Sequence, residues 1–404
     1  MKVSISKGIA KGFVEAPPSK SMAHRMLICA GLSNGRSVVH GISKSMDVLA
    51  TIDCLEAIGA VCEAQEDSII VTGVDITKVA PKKILKCRES GSTLRFFIPL
   101  CLISGETSVL EGSEGLLKRP MGVYKSLCDE RGLEFTQNTN SCIVKGPLKS
   151  GNFKIPGNIS SQFISGLLFA LPLLQGDSTL TITPPIESRS YIEMTISALH
   201  SFGVKAVWKD ENTLFIKGNQ SYLPQDTTVE GDYSNAAFFE ALNTLGSDIE
   251  IGNLNPQSIQ GDKVYTPMFQ QLTLGTPTLN ITDCPDLGPI LFAVAAAKNG
   301  GVFTGTKRLK IKESDRAEVM AEELRKFGTA VTVYEDEVVI YPADFHKPES
   351  ALFGHNDHRI VMSLSVLLTL TGGSIEGAEA VSKSFPDFFE KLDSLGIEVA
   401  KNDN

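Results

Sequence analysis

The chain has 404 residues, of which 42% are hydrophobic and 21% charged, a composition typical of soluble globular proteins with two or three domains. The formal net charge of −9 argues against extended nucleic-acid binding, although anionic metabolites could bind where cations are concentrated locally. The eight cysteines form no CxxC pair and the six histidines show no metal-binding spacing. We therefore expect reduced cysteines, no metal site and a cytoplasmic location.

Neither a signal peptide nor a membrane span is apparent. The first seven residues, MKVSISK, lack the apolar core of a signal peptide. The longest apolar stretches, residues 287–297 and 360–370, are shorter than the roughly 18 residues that a membrane span needs. We expect no membrane partner.

Residues 19–25, with the sequence SKSMAHR, precede an apolar run that ends at Gly31. This pattern predicts a helix that begins among hydroxyls and two cations. Because a helix N-terminus has free N–H groups and a partial positive charge, the added cations indicate an anion site. The alternative is a capped core helix with two solvated cations.

A glycine between an amphipathic helix and a strand recurs along the chain. The six copies are Gly59, Gly132, Gly203, Gly275, Gly328 and Gly396. They are separated by 73, 71, 72, 53 and 68 residues, and several copies continue into a hairpin. A more apolar helix precedes each amphipathic one, and helices that are apolar all round are buried. The six predicted buried helices span residues 21–32, 92–103, 161–174, 234–245, 287–298 and 357–370.

These patterns predict an α/β fold of six βαβαββ repeats, three in each of two domains, with buried helices inside and sheets outside. Residues 2–14 are predicted to form a strand before the first buried helix. The last repeat ends on a bare strand, so the N-terminal strand could complete the last domain. The expected domains are residues 19–230 and residues 1–18 with 231–404.

Cations lie at or near the starts of these helices, where side-chain carboxylates are normally preferred. The eight cations are Lys20, Arg25, Arg95, Arg119, Lys312, Arg316, Arg359 and Lys383. Each one alone could be a solvated charge or the partner of a carboxylate. Their recurrence at equivalent positions favours a shared ligand that carries several negative charges, such as phosphate with carboxylate. Hydroxyls and an amide at Ser160, Ser161, Gln162 and Ser188 suit phosphate oxygens.

Two carboxylates stand among these cations. Asp286 and Glu313 are candidates for a general base and a general acid. Alternatively, Asp286 is an N-cap, and Glu313 is a first-turn dipole partner or an ion pair with Lys312 or Arg316. Three histidines also lie near helix starts, and we favour structural roles for them as caps or core residues. They are His24, His355 and His358.

Together these motifs resemble the 3-phosphoshikimate 1-carboxyvinyltransferase (EPSP synthase) family over nearly the whole chain. The resemblance rests on SKS with Arg25, Gly91 to Arg95, Arg119-Pro120, Ser160-Ser161-Gln162, Ser188 with Tyr191, Pro285-Asp286, Lys312-Glu313 with Asp315-Arg316, Asp357-His358-Arg359, and Lys383 with Phe385-Pro386-Asp387. It implies the two-domain inside-out α/β barrel of enolpyruvyl transferases, with the active site in the cleft between the domains. It also implies transfer of enolpyruvyl from phosphoenolpyruvate to the 5-hydroxyl of shikimate 3-phosphate.

The resemblance assigns expected roles to individual residues. Shikimate 3-phosphate is expected to contact Lys20, Ser21, Arg25, Ser160, Ser161, Gln162, Ser188, Asp286 and Lys312. Phosphoenolpyruvate is expected to contact Lys20, Gly91, Arg119, Gln162, Arg316, Arg359 and Lys383. Glu313 is expected to handle the carbon proton and Asp286 the hydroxyl proton, with Lys20 assisting. The resemblance implies no cofactor and no metal, and we expect a monomer that binds only small-molecule substrates.

Three positions depart from the family pattern. Glu89 replaces a usual Asn, Phe96 replaces a frequent Pro, and Arg308 stands where some members have Asn. These changes bear on the affinity for phosphoenolpyruvate and on the response to glyphosate, which competes with it across the family.

The sequence disfavours three other functions. A UDP-N-acetylglucosamine enolpyruvyl transferase is disfavoured because residues 111–118 contain no cysteine and Ser21 follows Lys20. An RNA 3′-phosphate cyclase relative is disfavoured by the acidic charge and the serine cluster. A non-catalytic anion-binding protein would not need both Asp286 and Glu313.

Overall fold

A computed structural model of the chain describes residues 1–79 and 84–402. The chain forms two compact units, each with a separate hydrophobic core. The continuous unit is Pro18–Glu230, and the split unit combines Met1–Pro17 with Gly231–Asn404. The α/β class with buried helices and outer sheets is confirmed in both units.

The strands of the described residues are numbered in chain order. They are β1 (Lys2–Ile5), β2 (Lys11–Glu15), β3 (Arg36–His40), β4 (Val61–Ala64), β5 (Ser68–Thr72), β6 (Ile84–Arg88), β7 (Thr107–Gly112), β8 (Glu134–Gln137), β9 (Ser141–Lys145), β10 (Asn152–Pro156), β11 (Ser178–Thr183), β12 (Ala206–Trp208), β13 (Thr213–Ile216), β14 (Asp226–Thr228), β15 (Asp248–Gly252), β16 (Thr278–Asn280), β17 (Gly301–Thr304), β18 (Val331–Val333), β19 (Glu337–Ile340), β20 (Leu352–Phe353), β21 (Gly373–Glu376) and β22 (Val399–Asn402).

The helices are numbered in the same way. They are α1 (Lys20–Leu32), α2 (Met46–Ala57), α3 (Gly91–Cys101), α4 (Glu114–Leu117), α5 (Gly122–Arg131), α6 (Ser161–Ala170), α7 (Arg189–Ser201), α8 (Tyr233–Thr244), α9 (Tyr265–Leu274), α10 (Gly288–Ala297), α11 (Arg316–Arg325), α12 (His358–Thr371) and α13 (Phe388–Ser394). Short 3-10 helices span Leu171–Leu173, Gly261–Val264, Pro285–Leu287, Lys307–Ile311 and Ala378–Lys383. Within residues 1–79 and 84–402, each helix is too short or too polar to cross a bilayer.

The predicted buried helices are confirmed as α1, α3, α6, α8, α10 and α12. In α10, for example, every residue from Gly288 to Ala296 is buried, because its apolar side chains cover the whole helix surface. Their N-termini therefore bring polar residues to the ends of a packed core.

Five of the six sheets within the described residues share one four-stranded arrangement. In each, a parallel pair of strands is extended by two antiparallel strands. In the sheets that begin with β6, β10 and β16, the two parallel strands flank a buried helix in the chain, and the two antiparallel strands form a hairpin. In the β6–β7–β9–β8 sheet, Ile84 lies opposite Val109, and Val109 lies opposite Ile143. The parallel strands are possible because the buried helix makes the crossover connection.

The fourth repeat differs from the expected unit. Its sheet contains only β2 and β15, and the chain passes from the end of α9 at Leu274 to β16 at Thr278 without a hairpin. The side-chain amide of Asn243, on α8, accepts from the N–H of Ile249 on β15 and donates to the Ile249 C=O, both at 2.8 Å. The amide thus bonds backbone groups that a hairpin strand bonds in the other sheets.

The N-terminal segment forms two strands rather than one, and both belong to the split unit. Strand β1 lies between β21 and β22 and pairs with both in antiparallel register, with Val3 opposite Ile375 and Lys401. The N-terminal strand β1 thus lies within the sheet of the last repeat. The strand that pairs in parallel with β3 of the first repeat is β14, not the N-terminal segment.

Candidate functional site

The candidate site residues lie at helix starts and in the turns beside them, and each unit holds its own cluster. The split-unit cluster contains Asp286, Lys312, Glu313, Arg316, Arg359 and Lys383. The continuous-unit cluster contains Lys20, Ser21, Arg25, Gly91, Arg119, Ser160, Ser161, Gln162 and Ser188.

Asp286 is the centre of the split-unit cluster. It lies in the 3-10 turn Pro285–Leu287 that leads into α10. Its Oδ1 accepts from Lys312 Nζ at 3.0 Å and from Arg316 Nη1 at 2.9 Å, and its Oδ2 accepts from Arg359 Nη2 at 3.3 Å. Burial alone would raise the pKa of Asp286, but the three cations outweigh burial and hold that pKa well below its usual value. The side chain is a carboxylate among cations, not the N-cap that was the alternative.

Arg316 is fixed by a second carboxylate. Asp357 Oδ2 accepts from Arg316 Nε at 2.8 Å and Oδ1 accepts from Arg316 Nη2 at 3.3 Å. Asp357 is fully buried at the N-cap of α12, where its Oδ1 also accepts from the Arg359 N–H at 3.0 Å. Burial would raise its pKa, but Arg316 outweighs burial and the pKa of Asp357 is lowered. The two-pronged pair leaves Nη1 of Arg316 directed at Asp286.

Glu313 and His358 form a hydrogen-bonded pair in the same cluster. Nδ1 of the buried His358 lies 2.9 Å from Oε2 of Glu313, whose side chain is 12% exposed. The expected structural role of His358 therefore includes orienting Glu313, since the imidazole holds one carboxylate oxygen. Lys383 ends the 3-10 helix Ala378–Lys383, and its Nζ donates to the Asn356 carbonyl at 2.6 Å. Lys383 is thus four residues before Asp387, the N-cap of α13, rather than at the helix start.

The Lys312 ammonium is unusual in its acidity. Burial lowers its pKa most, Asp286 opposes that change, and Arg316 and Arg308 lower it further, to about 8. Arg308, one of the three departures from the family pattern, therefore contributes to the electrostatics of this cluster without an assigned substrate contact. Lys312 is a cation whose charge is sensitive to pH near neutrality.

Two groups of side chains have metal-ligand geometry within the described residues. One is Glu313, Asp357 and His358, and the other is Glu322, Glu323 and His355. In each group a buried carboxylate already accepts from a cation: Asp357 from Arg316, and Glu323 from Lys326. A metal ion would have to displace that cation, which disfavours metal binding at both groups. The expected absence of a metal stays a prediction.

In the continuous unit, α1 presents Lys20 and Arg25. Lys20 Nζ donates to Asp47 at the start of α2 at 2.9 Å. The buried Arg25 donates to Thr195 Oγ1 at 2.9 Å, to the Ser21 carbonyl at 2.6 Å and to the Tyr191 carbonyl at 3.0 Å. Burial lowers the pKa of Arg25 to about 10, so the guanidinium stays charged at neutral pH.

Phe96 packs beneath the Arg25 guanidinium, whose carbon lies 5.3 Å from the ring centroid. Phe96 is itself buried and makes an edge contact with Phe169, with centroids 5.4 Å apart. Phe96, which stands where the family frequently has Pro, therefore makes a cation–π contact with Arg25, a candidate carboxylate-binding residue. His24, expected to be structural, is buried and hydrogen bonded to Thr51 at 2.6 Å.

Gly91 is surrounded by the polar ends of three side chains. A Cβ atom at Gly91 would meet Arg119 Nη1 at 2.8 Å, Arg95 Nη1 at 3.7 Å and Gln162 Oε1 at 3.8 Å. Arg95 donates to Gln162 Oε1 at 2.6 Å, which fixes the amide. The absence of a side chain at Gly91 thus lets the Arg119 guanidinium approach the start of α3.

The serines lie at two further helix starts. Ser160 is the N-cap of α6 and accepts from the Gln162 N–H at 3.3 Å, and the buried Ser161 is the first residue of that helix. Ser188, buried at the N-cap of α7, has a left-handed backbone with φ of 54°. Helices α6 and α7 are tied by the Ser165 and Thr195 hydroxyls, 2.7 Å apart. The arrangement supplies hydroxyls and helix N–H groups suited to phosphate.

Several neighbours of the candidate residues were not assigned by the sequence. Asp47 and Glu323 lie in no recognised motif, and only their pairing in the fold reveals them. Asp357 lay inside a quoted motif without a role, and for His358 only a structural role was expected. The sequence signal for these two residues was a helix-capping residue, Asp357, followed by a cation, Arg359, at the start of a helix.

Comparisons with known proteins identify the family. The profile described as EPSP synthase (3-phosphoshikimate 1-carboxyvinyltransferase) matches residues 6–392. The chain belongs to the EPSP synthase family. Relatives named 3-phosphoshikimate 1-carboxyvinyltransferase include one from Clostridium perfringens, 38% identical with 98% of each chain covered. One from Clostridium acetobutylicum is 39% identical with the same coverage.

Solved structures agree with membership of the EPSP synthase family. An EPSP synthase from Acinetobacter baumannii superposes with a TM-score of 0.80 at 25% identity, covering 99% of this chain and 100% of that one. The enolpyruvyl transferase NikO from Streptomyces tendae shares the fold, with a TM-score of 0.77 at 13% identity over 99% of this chain and 98% of that one. The two-domain inside-out α/β fold of EPSP synthases is therefore the fold of this chain.

Proposed function

We propose that this chain transfers the enolpyruvyl group of phosphoenolpyruvate to the 5-hydroxyl of shikimate 3-phosphate and releases phosphate. The names of its relatives support this reaction over transfer to UDP-N-acetylglucosamine. The single observation that carries it is Asp286, a carboxylate held by three cations beside the Glu313–His358 pair. This arrangement combines anion binding with two groups suited to proton transfer.

Shikimate 3-phosphate is proposed to use both clusters. Ser160, Ser161, Ser188 and Lys312 bind its phosphate, with Gln162 beside them. Ser21 and Arg25 bind its carboxylate, and Asp286 accepts a hydrogen bond from the 5-hydroxyl. The buried Arg25, anchored to Thr195 and Tyr191, supports this assignment because it is ordered before a ligand binds.

Phosphoenolpyruvate is proposed to lie among the remaining cations, which match its phosphate and carboxylate. Its contacts are Lys20, the Gly91 backbone, Arg119, Gln162, Arg316, Arg359 and Lys383. The arginines supply paired donors that follow negative charge as it moves during the reaction.

The chemistry needs three proton transfers: protonation of a carbon, deprotonation of a hydroxyl and removal of one methyl proton. Glu313 in its protonated form gives a proton to the methylene carbon, and the 5-hydroxyl oxygen adds to the neighbouring carbon as Asp286 takes its proton. Phosphate then leaves from the tetrahedral adduct while Glu313 removes a methyl proton and restores the double bond. Lys20 stabilises negative charge on the phosphate. Substrate anions that draw Arg316, Arg359 and Lys312 toward themselves would raise the pKa of Asp286 and make it a stronger base.

The decisive assay is phosphate release from phosphoenolpyruvate with either shikimate 3-phosphate or UDP-N-acetylglucosamine as acceptor. We expect release with shikimate 3-phosphate only. Release should persist in the presence of a metal chelator, and the active species should sediment as a monomer. No release with shikimate 3-phosphate would refute the proposed function. All eight cysteines are free thiols in the structure, which suits a reducing cytoplasm.

Lys312 predicts a pH dependence for binding of shikimate 3-phosphate. Its pKa is lowered to about 8 in the free protein, and a bound phosphate would raise it again, so binding takes up a proton between these two values. Affinity should fall as pH rises above about 8, by up to about tenfold per pH unit, in calorimetric titrations. Lys312→Arg, which stays charged, should lose this slope. Equal slopes in both proteins would contradict the assignment.

Gly91→Ala should weaken phosphoenolpyruvate binding without destabilising the fold. The new methyl group meets the mobile end of Arg119 at 2.8 Å, so the guanidinium moves and the α3 backbone stays. We expect the KM for phosphoenolpyruvate to rise about tenfold and the melting temperature to shift by less than about 2 °C. Gly122→Ala, also at the first position of a helix but with open space around it, is the matched control. A KM that stays at the wild-type value would contradict this role of Gly91.

A further inference from the structure

The carboxylate of Glu323 is fully buried on α11 and has no part in the proposed chemistry. Its Oε2 accepts from the Phe353 N–H at 3.0 Å, and its Oε1 lies 3.1 Å from Nε2 of His355. Lys326 Nζ donates to both oxygens, at 2.8 and 2.9 Å. Glu323 therefore binds two points of the segment that leads into α12, and burial makes these contacts unlike those of a surface charge.

That segment has an unfavourable backbone. His355 and Asn356 are consecutive and both left-handed, with φ of 48° and 53°, a conformation that residues with a Cβ atom rarely adopt. Gly354 beside them is tightly packed, since a Cβ there would meet Val361 Cγ2 at 2.5 Å. Because such a turn persists only where its surroundings hold it, the contacts of Glu323 are candidates for the groups that do so.

The turn positions the cations of the split-unit cluster. The Asn356 carbonyl accepts from Lys383 Nζ at 2.6 Å. Asp357 holds Arg316, and Arg359, one residue into α12, reaches Asp286. All three cations are proposed to bind phosphoenolpyruvate.

Helix α11 braces the turn at two places. Arg316 at its first position binds Asp357, and Glu323, seven residues later and so on the same face, binds Phe353 and His355. The first contact is part of the site itself. The second lies outside the site and acts only through the turn.

We propose that Glu323 is a positioning residue that holds the left-handed turn and thereby sets the placement of Arg359 and Lys383 for phosphoenolpyruvate. This proposal rests on the proposed function of the split-unit cluster. It predicts a defect chiefly in phosphoenolpyruvate binding, because Arg359 and Lys383 are proposed contacts of phosphoenolpyruvate and not of shikimate 3-phosphate.

The test compares Glu323→Gln with Glu318→Gln, an exposed glutamate on the same helix, α11. We expect Glu323→Gln to raise the KM for phosphoenolpyruvate about tenfold and to leave the KM for shikimate 3-phosphate within about twofold. Glu318→Gln should behave as wild type. A second change, Asn356→Gly, should restore the KM in the Glu323→Gln protein, because glycine adopts the left-handed conformation without strain.

A purely structural role would give a different pattern. A lower melting temperature with an unchanged KM for phosphoenolpyruvate, or an equal rise in both KM values, would overturn the proposal, as would failure of Asn356→Gly to restore binding. If Glu323→Gln does not fold, His355→Phe removes one of its contacts and should raise the same KM about threefold. Phosphate release by the wild-type protein tests the proposed function separately, so its failure cannot be mistaken for failure of the positioning role.

Discussion

Glu313→Gln is expected to lower turnover by about 10²- to 10⁴-fold, the usual contribution of a positioned acid or base. The amide keeps an oxygen near His358 Nδ1, so the local packing is preserved while the transferable proton is lost. The dissociation constants of both substrates should stay within about threefold of wild type, because binding depends on the cations. Single-turnover phosphate release and calorimetric binding separate these two effects.

The matched control for this change is Glu318→Gln, an exposed glutamate in the first turn of α11. It removes the same charge five residues away, near the start of α11, without touching His358, and wild-type turnover is expected. Near-wild-type turnover in Glu313→Gln would refute its role in proton transfer. A large loss of binding with normal single-turnover chemistry would instead make Glu313 an electrostatic partner of Arg316 or Lys312.

Arg316→Met is expected to destabilise the split unit by about 3–5 kcal/mol, because it leaves the fully buried Asp357 carboxylate without the guanidinium that neutralises it. Methionine fills similar volume, so the loss is chiefly electrostatic. Hydrogen exchange of the α12 amides should accelerate on the order of 10²- to 10⁴-fold at about pH 7. Exchange is preferable to fluorescence here because Trp208 lies in the continuous unit.

The same pair predicts how the defect changes with pH. The pKa of Asp357 is lowered in the folded protein, so the pair stabilises the fold above the usual aspartate pKa of 3.8 and the effect is lost as pH falls. The difference between wild type and Arg316→Met should therefore shrink toward acidic pH. Arg316→Met combined with Asp357→Asn should recover most of the lost protection at about pH 7. A double variant no more stable than the single one would show that packing, not charge, causes the loss.

The sequence predicted the elements of this fold better than their partners. Helices such as α10 were predictable because they are apolar on every side, and the glycine motif marked each repeat. The missing hairpin of the fourth repeat had one signal, the short spacing between Gly275 and Gly328. The spacing alone did not predict the missing hairpin, because Gly275 still carries the repeat motif at the end of α9.

Within the candidate site, cations at helix starts were predictable because they oppose the usual preference for carboxylates. Their pairings were not, because contacts such as Lys20 with Asp47 or Arg316 with Asp357 join residues 27 and 41 positions apart. Such contacts depend on how neighbouring helices pack, which single-sequence patterns do not contain. Glu323 illustrates the limit, since a glutamate on an amphipathic helix is ordinarily a surface residue.

The position of β1 between β21 and β22 has a consequence for biosynthesis. Lys2 is paired with Glu376, 374 positions later in the chain, so β1 cannot find its neighbours until β21 and β22 have been made. At elongation rates of about 5–20 residues per second this delay lasts roughly 20–80 s, and the continuous unit is made and free to fold within that time. Strand β1 stays unpaired during the delay, so its sheet closes after the continuous unit can fold.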